Sequence, residues 1–196
     1  MEKPAITTLD IHPIIKKRWS PRAFANKAVS QEQLELIFEA ARWAPSSFNE
    51  QPWRFIVGQR GDDTYQRILD TLVEFNQKWS HTAQVLAITV VKKTFSKNGK
   101  PNRVCQFDLG QSLAYITFQA YEMGLVMHQM AGLRLEKAME VFDIPEDFEP
   151  MTAFALGYQG NPEILPEDLQ KSEYEARWRK PRHEFVFKET FGKSFF

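Results

Sequence analysis

Apolar residues return at helical spacing in "SQEQLELIFEAARWAPSS" (30–47), where Leu34, Ile37, Phe38 and Ala41 fall at i, i+3, i+4 and i+7. That spacing puts them on one face of a helix. Ser30 with Gln33 three residues on reads as a capping box, and Pro45 closes the helix. "WRFIVGQ" (53–59) is short and bulky, the pattern of a strand. Helical period returns over 62–79 through Tyr65, Ile68, Leu69, Leu72 and Trp79. "VLAITVVK" (85–92) is rich in β-branched and apolar residues, which predicts a buried strand. A polar loop follows, then a helix over 107–124 that is apolar nearly all round and therefore central. Gly124 is placed to end it.

A shorter helix is predicted through Leu135, Ala138, Met139 and Phe142, stopping before Pro145, and a strand over "MTAFALGY" (151–158). The tail "HEFVFKETFGKSFF" carries five Phe, and its best strand is "EFVF" (184–187). Helices and strands are mixed without a regular βαβ alternation, which predicts an α+β fold rather than a dinucleotide-binding one. The 196 residues suit one domain spanning 1–196. The aromatic tail, 183–196, is surplus to one core and is expected to pack on a partner chain.

Charge narrows the function. Twenty-five Lys and Arg balance twenty-five Asp and Glu, against the basic footprint of a nucleic-acid binder and against a polybasic membrane anchor. The N-terminus lacks the apolar core of a signal peptide, and no apolar run is long enough to span a bilayer. With one cysteine there is no internal disulfide. The expectation is a cytoplasmic protein without membrane or nucleic-acid partners. Cys105 opens an apolar helix and reads as a small buried hydrophobe rather than a nucleophile. His12, His81, His128 and His183 have no ligand spacing, so no metal site is expected.

Positive charge is nevertheless concentrated in two knots, "KKRWSPRAF" (16–24) and "ARWRKPR" (176–182). Arginine's planar fork pairs bidentately with phosphate oxygens, so knots far apart in sequence can converge on one phosphate, with Ser20 adding a hydroxyl. "APSSFNEQPW" (44–53) is a polar helix-to-strand loop able to offer neutral donors and acceptors to a heterocycle.

The order of "RWSPRAF", "APSSFNEQPWRFIV", "FDLGQSLAYITFQAYEMGLVMHQMAG", "FALGY" and "RWRKP" resembles the nitroreductase family of FMN-dependent NAD(P)H oxidoreductases, from about residue 14 to 187. The resemblance implies a central mixed, mainly antiparallel sheet flanked by helices, and a homodimer that exchanges its C-terminal strand. Arg18 and Ser20 would hold the FMN phosphate, Trp19 would contribute from its backbone, and Arg22 would reach the pyrimidine end of the flavin. Arg177 and Arg179 would form the second phosphate clamp, with Trp178 between them packing elsewhere. Lys16 and Lys17 have no match and are expected in solvent.

Pro45, Ser46, Ser47 and Asn49, with Gln51 less firmly matched, would contact FMN from the other subunit. Asn76 would meet the flavin ring. Some relatives carry a Lys three positions after this Asn, where this chain has Trp79. Gln129, Met130, Ala131 and Gly132 would run behind the isoalloxazine, with an Ala131 backbone N–H toward N5, small residues allowing the approach, and Met130 on the ring. No side chain is assigned to catalysis, and His128 reads as packing. The implied activity is hydride transfer from NAD(P)H, through FMN, to a small electron-poor acceptor such as a nitroaromatic or a quinone, in ping-pong order. The alternatives are a non-turnover FMN-storage dimer and another flavin reaction of the superfamily, such as dehalogenation.

Overall fold

A computed structural model describes residues 1–196. Four strands form its sheet: β1 (Trp53–Gln59), β2 (Val85–Lys92), β3 (Val126–Met130) and β4 (Phe148–Gly157). Their order is β1-β2-β4-β3, and all three pairings are antiparallel. β1 and β3 are therefore the two edges. Seven helices surround the sheet: α1 (Pro13–Lys17), α2 (Gln31–Arg42), α3 (Asp63–Thr71), α4 (Glu74–Ser80), α5 (Cys105–Glu122), α6 (Leu135–Val141) and α7 (Glu167–Tyr174).

The sheet is covered on both faces. Leu86, Ile88 and Val90 of β2 join Ile68, Leu72, Trp79 and Ala138 on one side. Val85, Ala87 and Val91 join Ile37, Leu109, Leu113 and Ile116 on the other. The continuous apolar run of β2 is explained by this double burial. Pro150 lies inside the central strand β4, where a missing N–H is normally excluded. The register slips there: Thr89 faces Thr152 but Val90 faces Pro150, leaving Met151 as the bulged residue.

The caps predicted from sequence are present. Ser30 Oγ accepts from Gln33 N–H while Gln33 Oε1 accepts from Ser30 N–H. Three expectations need correction. The helix over 62–79 is two helices, because Leu72 and Val73 turn extended. A backbone pairing wins over helical period there: Leu72 bridges Leu133, Arg134 N–H donates to Thr71 O and Val73 N–H to Gly132 O. Second, α1, β3 and α7 lie in stretches where no element was predicted. Third, "EFVF" is not a strand within this chain. Residues 182–184 make a 3-10 turn, and the tail pairs with itself through Phe187 and Ser194. It lies on neither edge of the chain's own sheet. No helix is long and apolar enough to cross a membrane.

Candidate functional site

The turn after α1 is built around contacts from distant elements. Trp19 is buried, and both of its backbone groups are taken by one side chain of α5. Trp19 N–H donates to Tyr121 Oη at 3.0 Å, and the Tyr121 hydroxyl donates back to Trp19 O at 2.6 Å. The Trp19 backbone is thus committed inside the chain. Two residues on, Pro21 O is bound by the imidazole of His128 at 3.1 Å. Arg22 N–H donates to the Glu173 carboxylate at 3.2 and 3.3 Å, and its guanidinium donates to Ser172 Oγ at 3.1 Å and Glu173 Oε1 at 3.4 Å. Glu173 is buried at 1% exposure, and burial pushes its carboxyl up against the opposing pull of Arg22 and Lys3. Arg22 Nε is buried without a partner. A buried orphan donor is uncommon in a finished structure.

The two basic knots meet. Burial lowers Arg18, and the charge of Arg179 lowers it further against the Tyr121 hydroxyl. Burial also lowers Arg177, followed by the charges of Arg18 and Arg179. Arg18 donates to Ser20 Oγ at 3.2 Å. Arg177 donates only to the carbonyls of Lys3 and Lys16, at 3.0 and 2.9 Å, and Arg179 only to Trp178 O. None of the three forms an ion pair with a carboxylate. A cavity of about 240 Å³ opens beside Arg177 and Arg179. Trp178 does not pack: it is 71% exposed. Lys16 and Lys17 face solvent, as expected.

At the β3 edge, Asn76 is not a surface residue. It is 7% exposed and donates to Gly132 O at 3.0 Å. Gly132 is small for a reason internal to the chain, since a Cβ there would stand 2.6 Å from both Asn76 Nδ2 and Val73 Cγ2. Ala131 and Gln129 are exposed. Met130 points into the core at 3% exposure, so its side chain is not offered to a ring. Trp79 is fully buried, between Phe24 and His128, with its Nε1 unpartnered. Neither it nor Met130 lines an open surface.

The loop 45–51 is elsewhere. It leads into β1, the opposite edge from β3, so three strand spacings of about 4.8 Å separate them. Ser47 N–H donates to Asp108 of α5 at 3.0 Å, and Gln51 N–H donates to Ser46 Oγ at 3.0 Å. Phe48, Asn49 and Gln51 all sit at positive φ, between 50° and 55°. Pro45 and Asn49 are exposed, while Ser46 and Ser47 are half-buried. One chain therefore collects Arg18, Trp19, Ser20, Arg22, Asn76, Gln129 to Gly132, Arg177 and Arg179 on the β3 side. It leaves Pro45, Ser46, Ser47 and Asn49 on the far side.

A family model described as the nitroreductase family matches residues 15–78, which run from the basic turn to Asn76. A solved structure described as an oxidoreductase containing FMN is 31% identical, with a TM-score of 0.90 and 96% of each chain covered. The chain belongs to the nitroreductase family. The major NAD(P)H-flavin oxidoreductase of Aliivibrio fischeri is 29% identical over 82% of this chain and 94% of that protein. A nitroreductase family protein from Clostridium difficile has a TM-score of 0.71 at 25% identity, covering 93% of this chain and 99% of its own.

Within the nitroreductase frame, three supporting residues escaped the sequence reading. Tyr121 and Glu173 pin the basic turn from α5 and α7, and Asp108 pins the loop at Ser47. Asp108 left a signal, a carboxylate inside an otherwise apolar helix. Glu173 left none, because it sits among charged neighbours in "QKSEYEAR".

Proposed function

We propose that this chain is an FMN-dependent oxidoreductase that carries electrons from NAD(P)H to a small electron-poor acceptor such as a nitroaromatic or a quinone. The observation that carries the reading is the trio of guanidinium groups, Arg18, Arg177 and Arg179, gathered without a carboxylate. Like charges brought together in a partly desolvated place raise the free energy of the empty fold, and a dianionic phosphate is the counter-charge that relieves it. The Arg22 Nε near this cluster is a further buried donor without an acceptor. FMN, held by these residues, would supply two-electron hydride chemistry between the nicotinamide donor and the acceptor, in ping-pong order.

The chain's own residues bind and orient. Arg18, Ser20, Arg177 and Arg179 hold the phosphate. Asn76 fixes the Gly132 carbonyl and with it the backbone of 129–132, whose exposed Ala131 can present its N–H to the ring. Arg22 is held by Glu173 at the height of the turn and contributes positive charge where reduction leaves negative charge. His128 is bonded to Pro21 O and tilted at 45° against Trp79, which supports reading it as packing. No acid or base is required of the protein.

The remaining assigned residues, Pro45, Ser46, Ser47 and Asn49, complete a site on a second copy. The two halves lie at opposite edges of one sheet, so a homodimer supplies both to each FMN. Exposed Phe107, Tyr115 and Phe118 on α5 offer an apolar contact face, and the 183–196 tail is the segment that crosses. Residues 1–196 thus make one FMN-binding domain.

The test is the visible spectrum of the purified protein before and after NADH or NADPH is added under nitrogen. A yellow protein bleached by either nucleotide supports the reading. A colourless protein that FMN cannot reconstitute removes the clamp. A yellow protein that neither nucleotide bleaches makes it a flavin-holding module instead.

A further inference from the structure

The strained loop 45–51 faces the hairpin 93–101 across a cavity of about 380 Å³, within the roughly 300–1,000 Å³ of small-molecule sites. The two walls are fastened together. Glu50 accepts from Ser96 N–H at 2.9 Å and from Ser96 Oγ at 2.6 Å, and Lys92 stands 3.9 Å from the same carboxylate. The hairpin holds itself: Phe95 N–H donates to Lys100 O at 2.9 Å, Gly99 N–H to Phe95 O at 2.8 Å, and Lys100 N–H to Asn98 Oδ1 at 3.0 Å. This is a preformed recess rather than a gap between loose loops.

Folding does not account for what lines it. Phe48 is 91% exposed at φ 53°. A left-handed backbone costs a non-glycine residue about 1–2 kcal/mol, and an exposed Phe recovers little of that by burial. Its one aromatic neighbour is Phe95, edge to face at 5.7 Å between centroids. Lys97 and Lys100 line the same recess, and neither ammonium has an ion pair or a hydrogen bond. Glu50 is the acid of the recess, and it is occupied by Ser96 and Lys92. What remains free is a pair of aromatic faces flanked by two uncompensated cations.

That combination selects a flat ring carrying anionic groups. Nitroaromatics and quinones have the ring without the charge, and an inorganic anion has the charge without the ring. We infer that this recess takes the adenosine-phosphate end of the pyridine nucleotide, the adenine against Phe48 and Phe95 and the phosphates against Lys97 and Lys100. Two ammonium groups suit an adenosine with a 2′-phosphate, so NADPH is preferred to NADH. The inference rests on the proposed reading of the protein as a pyridine-nucleotide oxidoreductase. It deepens that reading by naming a donor subsite on the same loop whose neighbouring Ser47 and Asn49 are assigned to the cofactor.

Adenosine 2′,5′-bisphosphate is the probe, titrated calorimetrically into the protein as purified. The comparison proteins are the Lys97→Ala/Lys100→Ala double variant, Phe48→Ala, and Lys97→Arg/Lys100→Arg as the charge-preserving rescue. The bisphosphate should bind the wild type, weaken about tenfold or more in the double alanine variant, and recover with arginine. In parallel, the NADPH-to-NADH ratio of kcat/KM should fall about tenfold in the double alanine variant, with flavin content unchanged. Equal bisphosphate binding in wild type and double variant overturns the inference, as does a nucleotide preference that the lysines do not move. If Phe48→Ala shifts the sedimentation of the dimer and leaves bisphosphate affinity intact, Phe48 serves the subunit contact and the inference fails. A protein that neither carries nor takes up FMN defeats the proposed function, while the calorimetric titration still decides the recess.

Discussion

His128 makes acid the sharpest probe of the basic turn. The imidazole lies behind residues 18–22, against Trp79 at 4.5 Å between ring centroids. Burial, then the charge of Arg22, lowers its pKa from 6.5 to about 4, with Arg18 adding to this and the carbonyls of Pro21 and Ser20 opposing it. The ring is therefore neutral at pH 7, and its Nδ1–H donates to Pro21 O. In the unfolded chain the same group takes a proton near pH 6.5. Between those values the unfolded state binds more protons than the folded one, so stability rises with pH across the window and is lost on acidification. Each unit of separation is worth about 1.4 kcal/mol, which puts the full loss from pH 7 to 4 at about 3 kcal/mol. Against a typical total of about 5–15 kcal/mol this is a large share.

The assay is urea unfolding of the wild type and of His128→Asn at pH 7, 6, 5 and 4. Asparagine keeps an N–H able to reach Pro21 O but does not titrate in this range. The variant should be less stable at pH 7 by about 1 kcal/mol. Its disadvantage should shrink by about 1.4 kcal/mol for each unit below 6.5 and then reverse. Carboxylates titrate in both proteins and cancel in the difference. Parallel curves from pH 7 to 4, or an imidazole that NMR shows titrating near its ordinary value, would refute the argument and with it the placement of His128 behind the turn.

Two further perturbations test the supports. Tyr121→Phe removes the hydroxyl that serves both Trp19 backbone groups; it should cost about 2 kcal/mol in chemical denaturation and lower the flavin content of the purified protein, whereas unchanged stability would show that Trp19 needs no such anchor. Gly58→Ala places a Cβ 2.3 Å from Tyr65 N and 2.5 Å from Tyr65 Cα, backbone that cannot rotate aside, so α3 must lift from β1 at a cost of about 1–3 kcal/mol, read as a fall of several degrees in Tm.

The elements that could be read in the sequence are those whose burial is decided locally. β1 and β2 run as read because bulky and β-branched residues dominate them, and α2 is capped where Ser30 and Gln33 predict. β3 was hidden because its five residues, "VMHQM", include a partly buried His and an exposed Gln, so neither alternation nor an apolar run marks it. The break at Leu72 and Val73 was hidden because its cause is the chain sixty residues later, where Gly132 and Leu133 offer backbone partners. The same limit governs the site. Two arginine knots stood out by composition, and the fold brings them together. The groups that hold them there, Tyr121 and Glu173, are ordinary helix residues until the turn arrives beside them. Met130 and Gly132 show the converse. Both lie in the segment matched to the cofactor, yet one side chain belongs to the core and the other position is small to admit Asn76.

The arginines of the site divide by how their charge is met. Arg22 is neutralised by Glu173 within the chain, and a buried pair of this kind contributes little net stability while making the loss of one partner expensive. Its value is positional, fixing the turn through a backbone N–H and the side chain at once. Arg18, Arg177 and Arg179 have no such partner, and burial acts on Arg18 and Arg177 in the same direction as mutual repulsion. A fold that keeps three cations together in that state carries a cost that an anion brought beside them would lower. Glu173 could have neutralised the trio had the chain placed it there, but it is spent on the backbone of Arg22. One acid thus shapes the turn, and the three remaining arginines keep a charge that no carboxylate of the chain balances.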